Sequence, residues 1–273
     1  MQNLFDILKE YKIADELCAN AYETCTPDIR NRIKSAIAFH FSENTVQEEE
    51  EVFTPKSSTG FCKGSRKQAL ENVFIFIDKN YSAPAKFLAV LCQAIRANAK
   101  QIFVCIDKVL PEEQFSLFLT CLELCGIENS YYLPEKIIIE KFALQLQAEN
   151  IQAKYVFCGC NKQHLQAVSP VNSFTDSLTL SICAQNEQKE MLSLSYGNSA
   201  VITYSSENSP CSCREHFTAL LQSSQKQYDI SFISPETGRQ NYGLGMEFCF
   251  KHPQLPQDFF YDILYFSNLE INY

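Results

Sequence analysis

Two short stretches gather residue types that ligate metals. Cys158-Gly159-Cys160 is followed by His164, and Cys211-Ser212-Cys213 by His216. Structural zinc knuckles use Cys-x2-Cys, which lets both sulfurs reach one ion from a turn. The Cys-x-Cys spacing here is less specific, and a chain with 13 cysteines makes such pairs by chance. The reading is therefore ordinary thiol packing with no metal, ahead of a zinc site and of a reactive thiol pair; the cofactor stays unassigned, with NAD the candidate. Glu215-His216 is an adjacent acid–histidine couple, the candidate catalytic pair, because a carboxylate can tune an imidazole that titrates near neutrality. The competing reading is two exposed neighbours on a helix.

A second set of residues gains meaning from its place in the fold. Asp78, Lys79, Asn80, Tyr81 and Ser82 follow one apolar run, and Asp107 follows the next. If both runs are parallel strands, these residues lie where open α/β sheets bind ligands, beyond the strand carboxyl ends. They could hold a ribose or another polar ligand. They could equally cap the turns that follow. The polar stretch Ser234 to Gly245 adds Arg239 and Asn241 as ligand-gripping candidates, or else is a surface hairpin.

The elements that must position these residues are legible in part. Val73 to Ile77, Gln101 to Ile106, Ile127 to Leu133 and Lys154 to Cys158 are short β-rich runs. Helical patterns over Pro84 to Ala99, Pro111 to Cys125 and Pro134 to Asn150 separate them. Strands apolar on both faces, alternating with helices, predict a doubly wound, mostly parallel, Rossmann-like α/β core over residues 68–168. Residues 1–41 read as a helical hairpin: one amphipathic helix over 3–24, then a second opened by Thr26-Pro27-Asp28. Residues 42–67, with four consecutive carboxylates at Glu48 to Glu51, read as an acidic linker. Residues 169–273 read as an α+β part. There Ser177 to Cys183, Met191 to Tyr196 and Ala200 to Tyr204 are expected as hairpin strands, with a helix over 210–227 and a strand at Gly245 to Lys251.

The run from Tyr81 to Leu133 resembles the nucleotide-fold domain of histidinol dehydrogenases. Pro84-Ala85-Lys86, Lys100-Gln101-Ile102-Phe103-Val104 and Leu122-Glu123-Leu124-Cys125-Gly126-Ile127 carry the likeness, over about 50 of 273 residues. The resemblance implies an NAD- and zinc-dependent alcohol dehydrogenase. Against that, the first strand–helix turn, Asp78 to Pro84, has no glycine, and neither Gly-x-Gly-x-x-Gly nor a Walker loop follows a strand. The family's Gln-x-x-His zinc pair is absent, and Glu215-His216 only echoes its acid–histidine couple.

Composition narrows the partners. With 23 basic and 32 acidic residues the net charge is -9, which argues against nucleic acid or an anionic membrane as partner. No apolar run nears the ~20 residues of a membrane span, and Met1 to Asp6 lacks the basic start of a signal peptide. An odd number of cysteines in apolar settings points to a reducing cytoplasm. Three functions remain, in this order: a small-molecule-binding protein of dehydrogenase ancestry, with or without catalysis, a nicotinamide-dependent oxidoreductase, and a protein-interaction scaffold.

Overall fold

The computed structural model describes residues 8–42, 52–54, 61–134, 136–149, 151–159, 172–205, 228–232 and 238–269. Its centre is a five-stranded, wholly parallel sheet of β3 (Asn72–Ile77), β4 (Gln101–Ile106), β5 (Ser130–Tyr132), β6 (Ala153–Cys158) and β7 (Ser173–Asp176). The strand order is β5-β4-β3-β6-β7, so the chain winds outward from β3 in both directions. All six residues of β3 are buried, as a central strand covered on both faces requires.

The twofold period of the strands sorts their side chains between two cores. On one face Phe74 stacks on Phe103 (4.7 Å) and Tyr155 (5.6 Å), and Phe76 on Phe157 (5.3 Å). Ile139, Ala143 and Leu146 of α5 (Lys136–Ala148) close over this aromatic layer. On the opposite face Val73, Ile75, Ile77 and Val104 join the larger core formed with α3 (Pro84–Arg96) and α4 (Glu112–Cys125). Gly126, left-handed at φ 69°, ends α4 as the sequence predicts.

The amino-terminal hairpin packs on this same face, α1 (Asp15–Thr24) against α4 and α2 (Pro27–Ser42) against α3 and α4. The single helix expected from residue 3 to 24 is interrupted. Ile13 N–H donates to Ser130 O (3.0 Å) and Tyr132 N–H to Tyr11 O (2.7 Å). The chain at 11–13 thus leaves the helix to pair with the otherwise open edge of β5. Arg32 of α2 also reaches Glu247, a buried carboxylate that accepts from Gln188 Nε2 (3.0 Å) and Gly245 N–H (3.2 Å). Burial works against the charged form of Glu247, but Gln188, the backbone amides and Arg32 outweigh it and hold its pKa below the usual range. Arg32→Gln should therefore destabilise the protein by about 2 kcal/mol in urea unfolding, by stripping a charge-assisted bond from a buried acid. A midpoint unchanged from wild type would show that the hairpin is not tied down there.

The second half differs from the meander that short alternating runs suggest. β8 (Leu180–Gln185), β9 (Ala200–Ser205), β10 (Tyr228–Ser231) and β11 (Gly238–Asn241) form a second wholly parallel sheet, in the order β11-β10-β8-β9. Met191 to Tyr196, read as a strand, belongs to α6 (Lys189–Tyr196), the crossover between β8 and β9. Its buried residues, Leu192, Ser195 and Tyr196, are spaced i, i+3, i+4. Serine among them made the pattern look alternating. Gly245 to Lys251 is loop, and the helix expected over 210–227 lies outside the described residues.

Residues 42–67 are likewise not linker throughout. β1 (Val52–Thr54) pairs with β2 (Phe61–Ala69), which pairs antiparallel with β12 (Tyr261–Leu269) from Tyr261↔Ala69 to Leu269↔Phe61. A ladder is made of backbone groups, so the polar sequence Lys63 to Gln68 does not announce it.

Candidate functional site

The turn after β3 places the predicted residues in two groups. Asp78 Oδ1 accepts from Asn80 N–H and from Asn80 Nδ2, both at 2.9 Å, and Asp107 Oδ1 accepts from Val109 N–H at 3.0 Å. Each carboxylate thus closes an Asx turn at the end of its strand. Lys79 and Asn80 are exposed. Tyr81 and Ser82 instead turn inward. Tyr81 lies over Gly159 at the end of β6, so close that a Cβ on Gly159 would stand 2.8 Å from Tyr81 Cβ. Ser82 Oγ donates to Asn198 Oδ1 (2.6 Å) and accepts from Asn198 N–H (2.9 Å), joining this turn to the second parallel unit. The crevice between the ends of β3 and β6, where strand order reverses, is filled by these two residues.

Beneath them lies a cluster of ionisable groups that the sequence reading did not single out. Asp176, the last residue of β7, accepts from Tyr81 OH at 2.6 Å and pairs with Lys86 Nζ at 2.7 Å. His252 Nε2 stands 3.1 Å from the same carboxylate. Lys86 also donates to Leu178 O (2.6 Å), and Gln254 N–H donates to His252 Nδ1 (3.4 Å). The side chains of Lys86, Asp176 and His252 are 1%, 0% and 0% exposed. Burial would raise the Asp176 pKa, but the His252 imidazole and the Lys86 charge prevail and pull it down to about 2. Tyr81 shifts upward, through burial first and the Asp176 charge second. These groups meet at the joint between the two sheets, with Asp176 the shared partner of Lys86, Tyr81 and His252.

Leu178, Pro253 and Gln254 lead from this cluster into a cavity of about 480 Å³. Its far walls are the amino-terminal ends of the second sheet: Leu180 and Ser181 of β8, Val201 and Thr203 of β9, Tyr228 and Asp229 of β10, and Arg239 of β11. The lining is apolar at Leu178, Leu180, Val201 and Tyr228. One charged pair interrupts it, Arg239 Nη1 facing Asp229 Oδ1 at 4.0 Å.

Of the residues read from sequence, Arg239 lines this cavity. Asn241 is exposed and donates to Gly238 O (3.0 Å), holding its own strand end. Glu215, His216, Cys160, His164, Cys211 and Cys213 lie outside the described residues. Among the described residues no group of three or more His, Cys, Asp or Glu is disposed to hold a metal ion. None of their helices is long and apolar enough to cross a membrane. Asp229 and the Lys86–Asp176–His252 cluster were missed. The signal for the latter was a lysine inside the otherwise apolar stretch Pro84 to Leu91.

The chain has a counterpart among solved structures over nearly its whole length. The fold is similar to that of a histidinol dehydrogenase. The chain aligns with histidinol dehydrogenase from Elizabethkingia anophelis at a TM-score of 0.56 over 95% of its own length and 77% of that chain, with 13% identity. The NADP-dependent glyceraldehyde-3-phosphate dehydrogenase from Bacillus halodurans C-125, determined in complex with NADP, aligns at a TM-score of 0.37 with 14% identity, over 70% of this chain and 42% of that one. The chain matches no family model and no curated protein. Likeness to histidinol dehydrogenase at this identity is likeness of fold, and a fold carries many activities.

Proposed function

We propose that this protein uses a dehydrogenase-like fold to bind a small molecule in the cavity beside the joint of its two parallel sheets, without catalysing hydride transfer. The observation that carries the reading is the cavity itself, about 480 Å³ with apolar walls and one open charged pair. That combination is usual for small-molecule sites. Two features support binding over catalysis. The groups able to move protons, Lys86, Asp176 and His252, are closed off and held by one another. The crevice where a dinucleotide's pyrophosphate would approach backbone amides is filled by Tyr81 and Ser82, so the residues there do not fit that cofactor. Buried cysteines outside any disulfide, such as Cys92 and Cys105, support a reducing compartment.

Val201, 61% exposed on the cavity wall, allows a direct test. In ligand-detected NMR with a small-fragment mixture, the wild type should bind several fragments, and Val201→Trp, which fills the cavity from its rim, should lose them while keeping its melting temperature. Fragments that bind both proteins equally would remove the cavity as the site. Titration with NADH, followed by its fluorescence, should show no saturable binding; saturation together with oxidation of an alcohol at the expense of added NAD+ would make this an oxidoreductase instead.

A further inference from the structure

We infer that the cavity recognises a carboxylic acid bearing a hydrogen-bond donor, amine or hydroxyl, on the carbon beside its carboxylate, with an apolar tail. The inference rests on the ligand-binding reading above and names its chemical class. Its basis is the way Asp229 and Arg239 are held. Asp229 Oδ2 accepts from Ser181 N–H (2.9 Å) and Ser181 Oγ (2.8 Å), while Asp229 N–H donates back to Ser181 Oγ (3.1 Å). These three bonds across β8 and β10 fix the carboxylate and direct Oδ1 toward Arg239. The two stand 4.0 Å apart, beyond hydrogen-bond reach, with the Arg239 side chain 59% and that of Asp229 15% exposed.

An open pair of this kind contributes little to the fold. It is well suited to being bridged. A guanidinium presents a planar fork of N–H donors that matches a carboxylate in two parallel bonds. A fixed aspartate oxygen beside it accepts from an N–H or O–H. A ligand that offers both groups on neighbouring carbons meets both partners at once. A ligand with the carboxylate alone places like charge against Asp229, and one with the amine alone meets the charge of Arg239. The pair therefore selects for the combination, by repulsion as well as attraction. Leu178, Leu180, Val201 and Tyr228 give the lining its apolar surface, among the uncharged Thr179, Thr203 and Gln254, and suit an apolar tail rather than a second charge.

Calorimetry with four compounds of one carbon skeleton separates these terms: leucine, 2-hydroxy-4-methylpentanoate, 4-methylpentanoate and leucinamide. Leucine or its hydroxy analogue should bind at least tenfold more tightly than the plain acid and the amide. Arg239→Gln, at an exposed position, should erase the preference for acid over amide, and Asp229→Asn the preference for a donor beside the carboxylate. Equal binding of the plain acid and leucine would overturn the inference. So would failure of all four compounds to bind while fragments still fill the wild-type cavity and not Val201→Trp; in that case small-molecule binding stands and only the class falls. If the fragments fail as well, both fall.

Discussion

Replacing Asp176 by alanine is expected to destabilise the protein by about 3–5 kcal/mol and to lower its melting temperature by roughly 10 °C. The variant takes the carboxylate from Lys86, whose side chain is 1% exposed, and leaves it facing Leu178 O and the Tyr81 ring among the described residues. It also removes the acceptor for Tyr81 OH. Removing one member of a buried pair leaves the other without compensation, and this is why the loss exceeds what the pair itself contributes. The double variant Lys86→Met with Asp176→Leu should for that reason be more stable than Asp176→Ala alone. A single variant that melts within 2 °C of wild type would show that the cluster is not a structural joint.

The same carboxylate gives the stability curve a predictable acid limb. Its pKa lies at about 2 in the fold against an ordinary 3.8, so its contribution is complete above about pH 4 and is lost as the pH falls toward 2. Asp176→Ala should lack the part of the acid-induced decline that falls in this window. Urea titrations at pH 2.5 and pH 5 measure it as the difference between variant and wild type, which should be smaller at pH 2.5.

What the sequence disclosed about this fold follows from how the signal is written. β3, β4 and β6 are apolar on both faces, and only burial on both faces explains a run such as Val73 to Ile77. Four strands of the first sheet were therefore legible, and so was their parallel direction; β7, with every residue but Asp176 only half-buried, was not. The second sheet was not. β8, with Leu180, Ile182, Cys183 and Ala184 buried but Ser181 half-buried, looks like an alternating edge strand, and β10, though strand-like in sequence from Tyr228 to Ile233, carries Asp229 and shows nothing of which strand it joins. The hydrogen bonds between Ser181 and Asp229 that reconcile these residues with a parallel sheet span 48 positions of sequence. The same limit applies to the site. Asp78 and Asp107 stood out because they end apolar strands, but each takes its turn locally. Arg239 could be read from sequence as a ligand-gripping group; its partner Asp229 could not, because pairing across strands leaves no local pattern. Lys86 left a trace, a charge in the middle of a buried helix, and Asp176 and His252 left none.

Gly197→Ala should be the most damaging single-methyl change in the chain's second half, destabilising it by about 3 kcal/mol or more. Gly197 ends α6 at φ 50°, ψ -130°, a region that side-chain-bearing residues rarely enter. A Cβ there would also collide with Ser82 Oγ and with the Ser82 carbonyl oxygen. The backbone oxygen cannot swing aside as a flexible side chain would, so the strain adds to the conformational term. The consequence reaches beyond stability. Ser82 and Asn198 hold the turn after β3 against the second sheet, and Asn198 Nδ2 also donates to Asn80 O (3.1 Å). Pushing Ser82 away displaces Tyr81, and with it the hydroxyl on Asp176. In hydrogen exchange, Gly197→Ala should speed exchange in residues 79–83 and 176–178 while leaving the amides of β3 and β4 protected. Ser82→Gly, which removes the obstructing hydroxyl and Cβ, should recover part of the loss in the Gly197→Ala background. If the double variant is no more stable than Gly197→Ala, the damage comes from the backbone angle and the carbonyl contact, and the side-chain joint between the two sheets is not what this glycine protects.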